Sequence, residues 1–125
     1  MKHEFQLIDG IVWNENTCKQ VTLRPLDEST HKQVLDLVDN QLSHLETQPG
    51  FYLVNDSHRQ GLKGYMTLNE CAAISISHIG NDAVQMTFGE LCQLNISAQD
   101  WNRILTANLA LAEFYGEDEI DTMMA

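Results

Sequence analysis

The chain has 125 residues, 43% of them hydrophobic, and a formal net charge of −11 from 18 acidic against 7 basic side chains. That length suits one domain able to bury a core without staples, and the apolar fraction excludes wholesale disorder. The charge argues against a nucleic-acid or anionic-membrane surface, since both attract Lys and Arg.

Cys18, Cys71 and Cys92 leave one thiol unpaired in any disulfide scheme, and none has CxxC spacing. Reduced thiols in a cytoplasm are expected. The stretch MKHEFQLIDG sets Glu4 and Asp9 where a secretory signal needs an uninterrupted apolar run. No segment approaches the length of a membrane span. These features together predict a cytoplasmic protein.

Along the chain, short strands come first, at 5–7, 11–13 and 18–24, with turn signals at Asp9-Gly10 and Asn14-Glu15-Asn16. In the third strand Val21 and Leu23 share one face, while Gln20, Thr22 and Arg24 share the other. Pro25 holds Arg24 extended and cannot donate to a ladder, so the strand must end there. Asp27 is placed to cap the helix that follows. That first helix, over about 28–45, carries Val34, Leu37, Val38, Leu42 and Leu45 on one side and Lys32, Asp36, Asp39, Asn40 and Ser43 on the other. Residues 46–64 are broken by Pro49-Gly50, Asn55-Asp56, Gly61 and Gly64. They predict an ordered loop holding Arg59 and Lys63, with Phe51, Tyr52, Leu53 and Val54 as a short β-like run.

The last part of the chain writes three helix starts in one grammar. Thr67-Leu-Asn-Glu70 and Thr87-Phe-Gly-Glu90 are capping boxes, flanked by Met66/Cys71 and Met86/Leu91 as hydrophobic staples. Ser97-Ala-Gln-Asp100 is a weaker version with Ile96 and Trp101. Helices are therefore expected over 68–79, stopped by Gly80, over 88–94, and over 98–115, stopped by Gly116. The last has a broad apolar face of Trp101, Ile104, Leu105, Leu109, Ala112 and Tyr115, with Asn108 near its centre. A second stripe, Arg103, Ala107, Ala110 and Phe114, lies opposite. One reading is a helix buried nearly all round. The other is a face whose alanines admit a partner helix, and Arg103, Ala107, Ala110 and Phe114 are the candidate partner-binding residues. Glu117, Asp118, Glu119 and Asp121 crowd the segment beyond.

The expected architecture is thus α+β, a small N-terminal antiparallel sheet followed by three to four helices. It is divided into a domain over 1–116 and an acidic, flexible tail over 117–125. No P-loop, dinucleotide fingerprint or GxSxG motif is present. His3, His31, His44, His58 and His78 show no HxxxH or HxH spacing, and the acid pairs fall at helix starts or on solvated faces, where negative charge is favourable. No catalytic residue, metal ligand or cofactor is expected.

Three segments carry a family resemblance. Val21-Thr22-Leu23-Arg24-Pro25-Leu26 follows the hairpin and leads into a helix. Cys71-Ala72-Ala73-Ile74 opens an alanine-rich stretch reaching Ile79-Gly80. Leu91-Cys92-Gln93-Leu94 precedes Asp100-Trp101-Asn102-Arg103-Ile104-Leu105. In this order they resemble the tail assembly chaperones of Mu-like and related long-tailed phages. The resemblance covers about two thirds of the chain, and residues 49–64 have no counterpart in it. It implies a non-enzymatic assembly factor acting in the host cytoplasm and absent from the finished virion. Such a factor binds the tape measure protein and engages the tail tube protein. It implies no nucleic acid, membrane or cofactor, and leaves homo-oligomer formation open. The rival classes are a small acidic protein that inhibits a host protein, and an enzyme using His31, His58 or His78 with nearby acids.

Overall fold

Two residues in left-handed conformation set the first hairpin. Asn14 (φ 51°) and Glu15 (φ 67°) join β1 (His3–Trp13) to β2 (Asn16–Leu23), the two-residue link that right-handed strand twist favours. The computed structural model describes residues 3–51 and 55–124, with side chains through 111 in the last helix. Within it the expected turn at Asp9-Gly10 is a bulge in one long strand. Gln6 pairs with Gln20 and Ile11 with Cys18, so residues 7–10 face Lys19 alone. Gly10 serves that bulge at φ 89°. A Cβ there would stand 2.8 Å from Thr17 Cγ2 and 3.0 Å from the Cys18 carbonyl oxygen.

β2 ends at Leu23, one residue short of the expected end at Arg24 and before Pro25, and Asp27 caps α1 (Glu28–Glu46) by accepting the Thr30 N–H at 2.7 Å. The region expected to be a loop over 46–64 differs. α2 (Asp56–Ser75) begins inside it, capped by Asn55, whose side chain accepts the His58 N–H. Gly61 and Gly64 therefore lie within a helix, a cost of about 1 kcal/mol each relative to Ala that packing can absorb. Thr67 is not a cap: it sits in mid-helix, its hydroxyl donating to the Lys63 carbonyl at 2.7 Å. Of the expected β-like run, residues 52–54 lie outside the described residues.

Nor does the expected helix over 68–79 run to Gly80. α2 stops at Ser75, and β3 (Ile76–Ile79) pairs antiparallel with β2 on one side and with β4 (Asp82–Ala83) on the other. Ile74-Ser-Ile-Ser77 alternates apolar and polar, which suits a half-buried strand, His78 breaks the alternation where the pairing with β2 shifts register, and the isoleucines favour a pleated surface. Gly80 (φ 61°) serves the link to β4. The sheet order is β1-β2-β3-β4. Trp13 Nε1 and Asn14 Nδ2 both donate to Asp82 Oδ2 at 2.8 Å, tying the first hairpin's tip to the second.

α3 (Phe88–Cys92) starts at the expected capping box, with Thr87 and Glu90 each bonded to the other's backbone N–H. α4 (Ala98–Met124) begins where expected, the Ser97 hydroxyl accepting the Asp100 N–H. Its backbone stays helical through Gly116 instead of stopping there. The main core gathers Leu7, Ile11, Val21, Leu23, Ala72, Ala73, Ile76, Ile79, Leu91 and Ile104 between the sheet and α2, α3 and α4. A smaller cluster, Val34, Val38 and Cys71 with Leu26, Met66 and Ile74, fixes α1 onto α2. The architecture is α+β, an antiparallel sheet with four helices.

Candidate functional site

The two cations expected in a loop are instead helical and engaged. Arg59 meets Glu46 at 2.9 Å and Lys63 meets Asp39 at 2.7 Å, both joining α2 to α1. These are partly exposed pairs, worth under about 1 kcal/mol each. Arg24 is exposed; its backbone N–H donates to the Ser75 carbonyl at 2.8 Å, and its charge helps hold the Asp27 carboxyl ionised. The larger influence on Asp27 is its bond from the Thr30 backbone, which lowers its pKa.

Asp100 organises the surroundings of the expected partner face. Fully buried, its carboxylate accepts three consecutive backbone N–H groups of the β1 bulge. Oδ1 takes Ile8 at 2.6 Å, and Oδ2 takes Asp9 and Gly10 at 2.9 Å each. Burial alone would raise its pKa, but the bonds from Ile8, Gly10 and Asp9, with the Ser97 side chain, outweigh burial and hold it below the ordinary aspartate value. Three residues on, Arg103 donates from Nε (3.1 Å) and Nη2 (2.9 Å) to the Gln6 carbonyl. The two side chains grip the same bulge, one through its donors and one through an acceptor.

That grip lays α4 along β1 and shapes an open groove of about 420 Å³. Arg103, Ala107 and Ala110 line it together with His3, Phe5, Asn102 and Thr106. Ala107 is half-buried against the core, and Ala110 is exposed. His3 and Phe5 stack with ring centroids 5.7 Å apart. The structure therefore places three of the four sequence-derived candidates on one face. The side chain of the fourth, Phe114, lies outside the described residues, as do those of the acidic segment 117–125. His3 and Phe5 were not singled out from sequence. Their alternation marks a strand, and nothing local shows that a helix about 100 residues later lies beside it.

Two further polar groups act at a distance from their own helix. Glu70, read from sequence as a helix-start residue, does serve a helix start, but that of α3. Its Oε2 accepts the Phe88 N–H at 3.1 Å and its Oε1 the Gln41 amide at 3.3 Å. Asn69 accepts Trp101 Nε1 at 2.9 Å, and Trp101 packs on Phe88 with centroids 5.2 Å apart. Cys71 is buried between α1 and α2, and that burial, with the nearby Glu70 charge, pushes its thiol's pKa up. His78 bonds to Ser77, and His31 is exposed. Among the described residues no three His, Cys, Asp or Glu side chains group as metal ligands, and no helix is long and apolar enough to cross a membrane. Comparison of the chain with protein-family models, with curated proteins and with solved structures finds no match.

Proposed function

We propose that this chain is a non-enzymatic tail assembly chaperone that binds a helical segment of a tape measure protein and presents it to tail tube protein in the host cytoplasm. The observation that carries the reading is the groove beside Ala107 and Ala110. Small side chains on a helix face leave room for a second helix to approach closely, and the wall they stand on is fixed by Arg103 and Asp100 to β1. The segments behind the resemblance support the same reading. Val21 to Leu26 forms the passage from β2 into α1, and Leu91 to Leu105 the passage from α3 into α4. The net charge of −11 favours a partner with basic residues around its apolar face.

Co-expression with the cognate tape measure protein tests this. The chaperone raises that protein's soluble yield, and Ala110→Glu, an exposed change that leaves the fold intact by circular dichroism, removes the gain by placing an unpaired charge in the contact. An unchanged soluble yield with the parent chain would sink the chaperone reading. Full solubilisation by the folded Ala110→Glu protein would clear this groove of the role.

A further inference from the structure

We infer that a second cleft, between α1, α2 and α4, is a docking site for an amphipathic helix carrying one polar side chain within its apolar face and basic residues beside it. The cleft measures about 910 Å³. Leu26 and Leu35 form one wall, Leu68 another, and Leu109 and Leu111 of α4 the third. It lies on a different side of α4 from the Ala107–Ala110 groove. It requires no tape measure protein, so the two readings stand or fall separately.

The decisive residue is Asn108. It is only 7% exposed, lines the cleft, and makes no side-chain hydrogen bond among the described residues; no buried side-chain polar atom is stranded there, so its amide opens to water in the cleft. The amide offers two donors and one acceptor. An entirely apolar occupant would strip it of water and return nothing, which is unfavourable. An occupant with a glutamine, asparagine or hydroxyl side chain at that depth restores the bond. This makes Asn108 a selector among apolar segments, acting by penalising the wrong one.

A helix fits the remaining features. The cleft is bounded by three helices, the setting in which an amphipathic segment lays its i, i+3 and i+4 side chains into a groove. Gly64 on the wall has open space where a Cβ would stand, so a backbone can come close there. Leu109 is 45% exposed at the mouth of the cleft, so an occupant seated there would cover it. Asp27 and Glu28 line the cleft together with His31 and Lys32, and the net charge of −11 sets this mixed group in a negative field, which favours lysines flanking the apolar face.

Two capped, designed peptides of about 15 residues, long enough to hold some helix in water, test the inference on the full chain. Both have lysines on the polar face and leucines on the other. One has glutamine at the central apolar position, the second leucine there. Binding is read by fluorescence anisotropy and by backbone amide shifts. The glutamine peptide binds roughly tenfold tighter than the leucine peptide, with shifts at Leu68, Asn108 and Leu109. Asn108→Leu reverses the preference, and Leu109→Glu weakens both. If Asn108→Leu does not fold, Leu109→Glu, at an exposed position, decides alone. Equal binding of the two peptides, shifts confined to the Ala107–Ala110 groove, or no binding at about millimolar concentration overturns the proposal. So does concentration-dependent dimerisation that Leu109→Glu abolishes, which would assign the cleft to a second copy of the chain.

Discussion

Replacing Asp100 by asparagine keeps the side chain's shape and removes its charge. The new amide has one oxygen where the carboxylate has two, and its NH2 faces N–H donors. Oδ1 now serves Ile8 and Oδ2 serves Asp9 and Gly10, so at least one bond is lost and a donor meets a donor. Each bond to a charged group contributes about 1.5–3 kcal/mol, and a stranded buried donor costs about 1–3. Ile8 and Asp9 are exposed, so water can reach part of what the carboxylate leaves. The expected loss is therefore about 2–3 kcal/mol, the lower part of that sum. Urea denaturation at pH 7 followed by tryptophan fluorescence measures it, and hydrogen exchange at Ile8, Asp9 and Gly10 localises it. Because the folded pKa lies below the ordinary value of 3.8, the carboxylate's contribution is fully present above that value and is lost as pH falls through the folded one. The stability gap between the parent protein and the Asp100→Asn variant is thus widest at neutral pH and closes on acidification below about pH 4. A difference under about 0.5 kcal/mol at pH 7, within the range of ordinary surface changes, would show that the bulge does not depend on this carboxylate.

The capping residues provide an internal comparison: Thr87→Ala costs about 1 kcal/mol, whereas Thr67→Ala is near neutral because Thr67 lies within α2; equal losses in chemical denaturation would contradict the placement of that helix. Glu70→Ala strands the Phe88 N–H and the Gln41 amide and costs about 1–3 kcal/mol, with faster amide exchange at Phe88 as the local readout; unchanged exchange there would remove Glu70 from the α3 start. Gly10→Ala forces a Cβ toward Thr17 and Cys18 in a positive-φ position and destabilises by about 1–3 kcal/mol; a neutral result in thermal melting would mean that the bulge relaxes freely.

Short-range signals were legible in the sequence. The stop at Pro25, the Asp27 cap, the Thr87 capping box and the Ser97 start all depend on residues within four positions of one another. Failures arose where a local pattern had two physical solutions. Met66-Thr67 reads as a staple and cap but also fits the interior of a helix begun at Asn55. Ile74 to Ile79 fits a helix end by its neighbours and a strand by the alternation of Ile74 to Ser77, and the open edge of β2 favours the strand. Asp9-Gly10 marks a backbone departure correctly, but not whether the chain reverses; that depends on Asp100, ninety residues away. The same distance explains the groove. The i, i+4, i+7 spacing of Arg103, Ala107 and Ala110 defines a face, while its opposite wall, His3 and Phe5, follows only from where the Asp100 and Arg103 side chains take hold.

The hold of Asp100 and Arg103 on β1 also decides what the border of the sheet can offer another strand. β1 borders the sheet on one side and β4 on the other, and an open border strand is a template on which a second chain can add. Along β1 the donors of Ile8, Asp9 and Gly10 and the acceptor of Gln6 are already taken by α4, and the bulge spoils the straight run that a passing strand would need. β4 is two residues long and presents Asp82. Both borders are blunted, one by occupation and one by brevity. What such borders leave to an approaching chain is helical faces and little free strand.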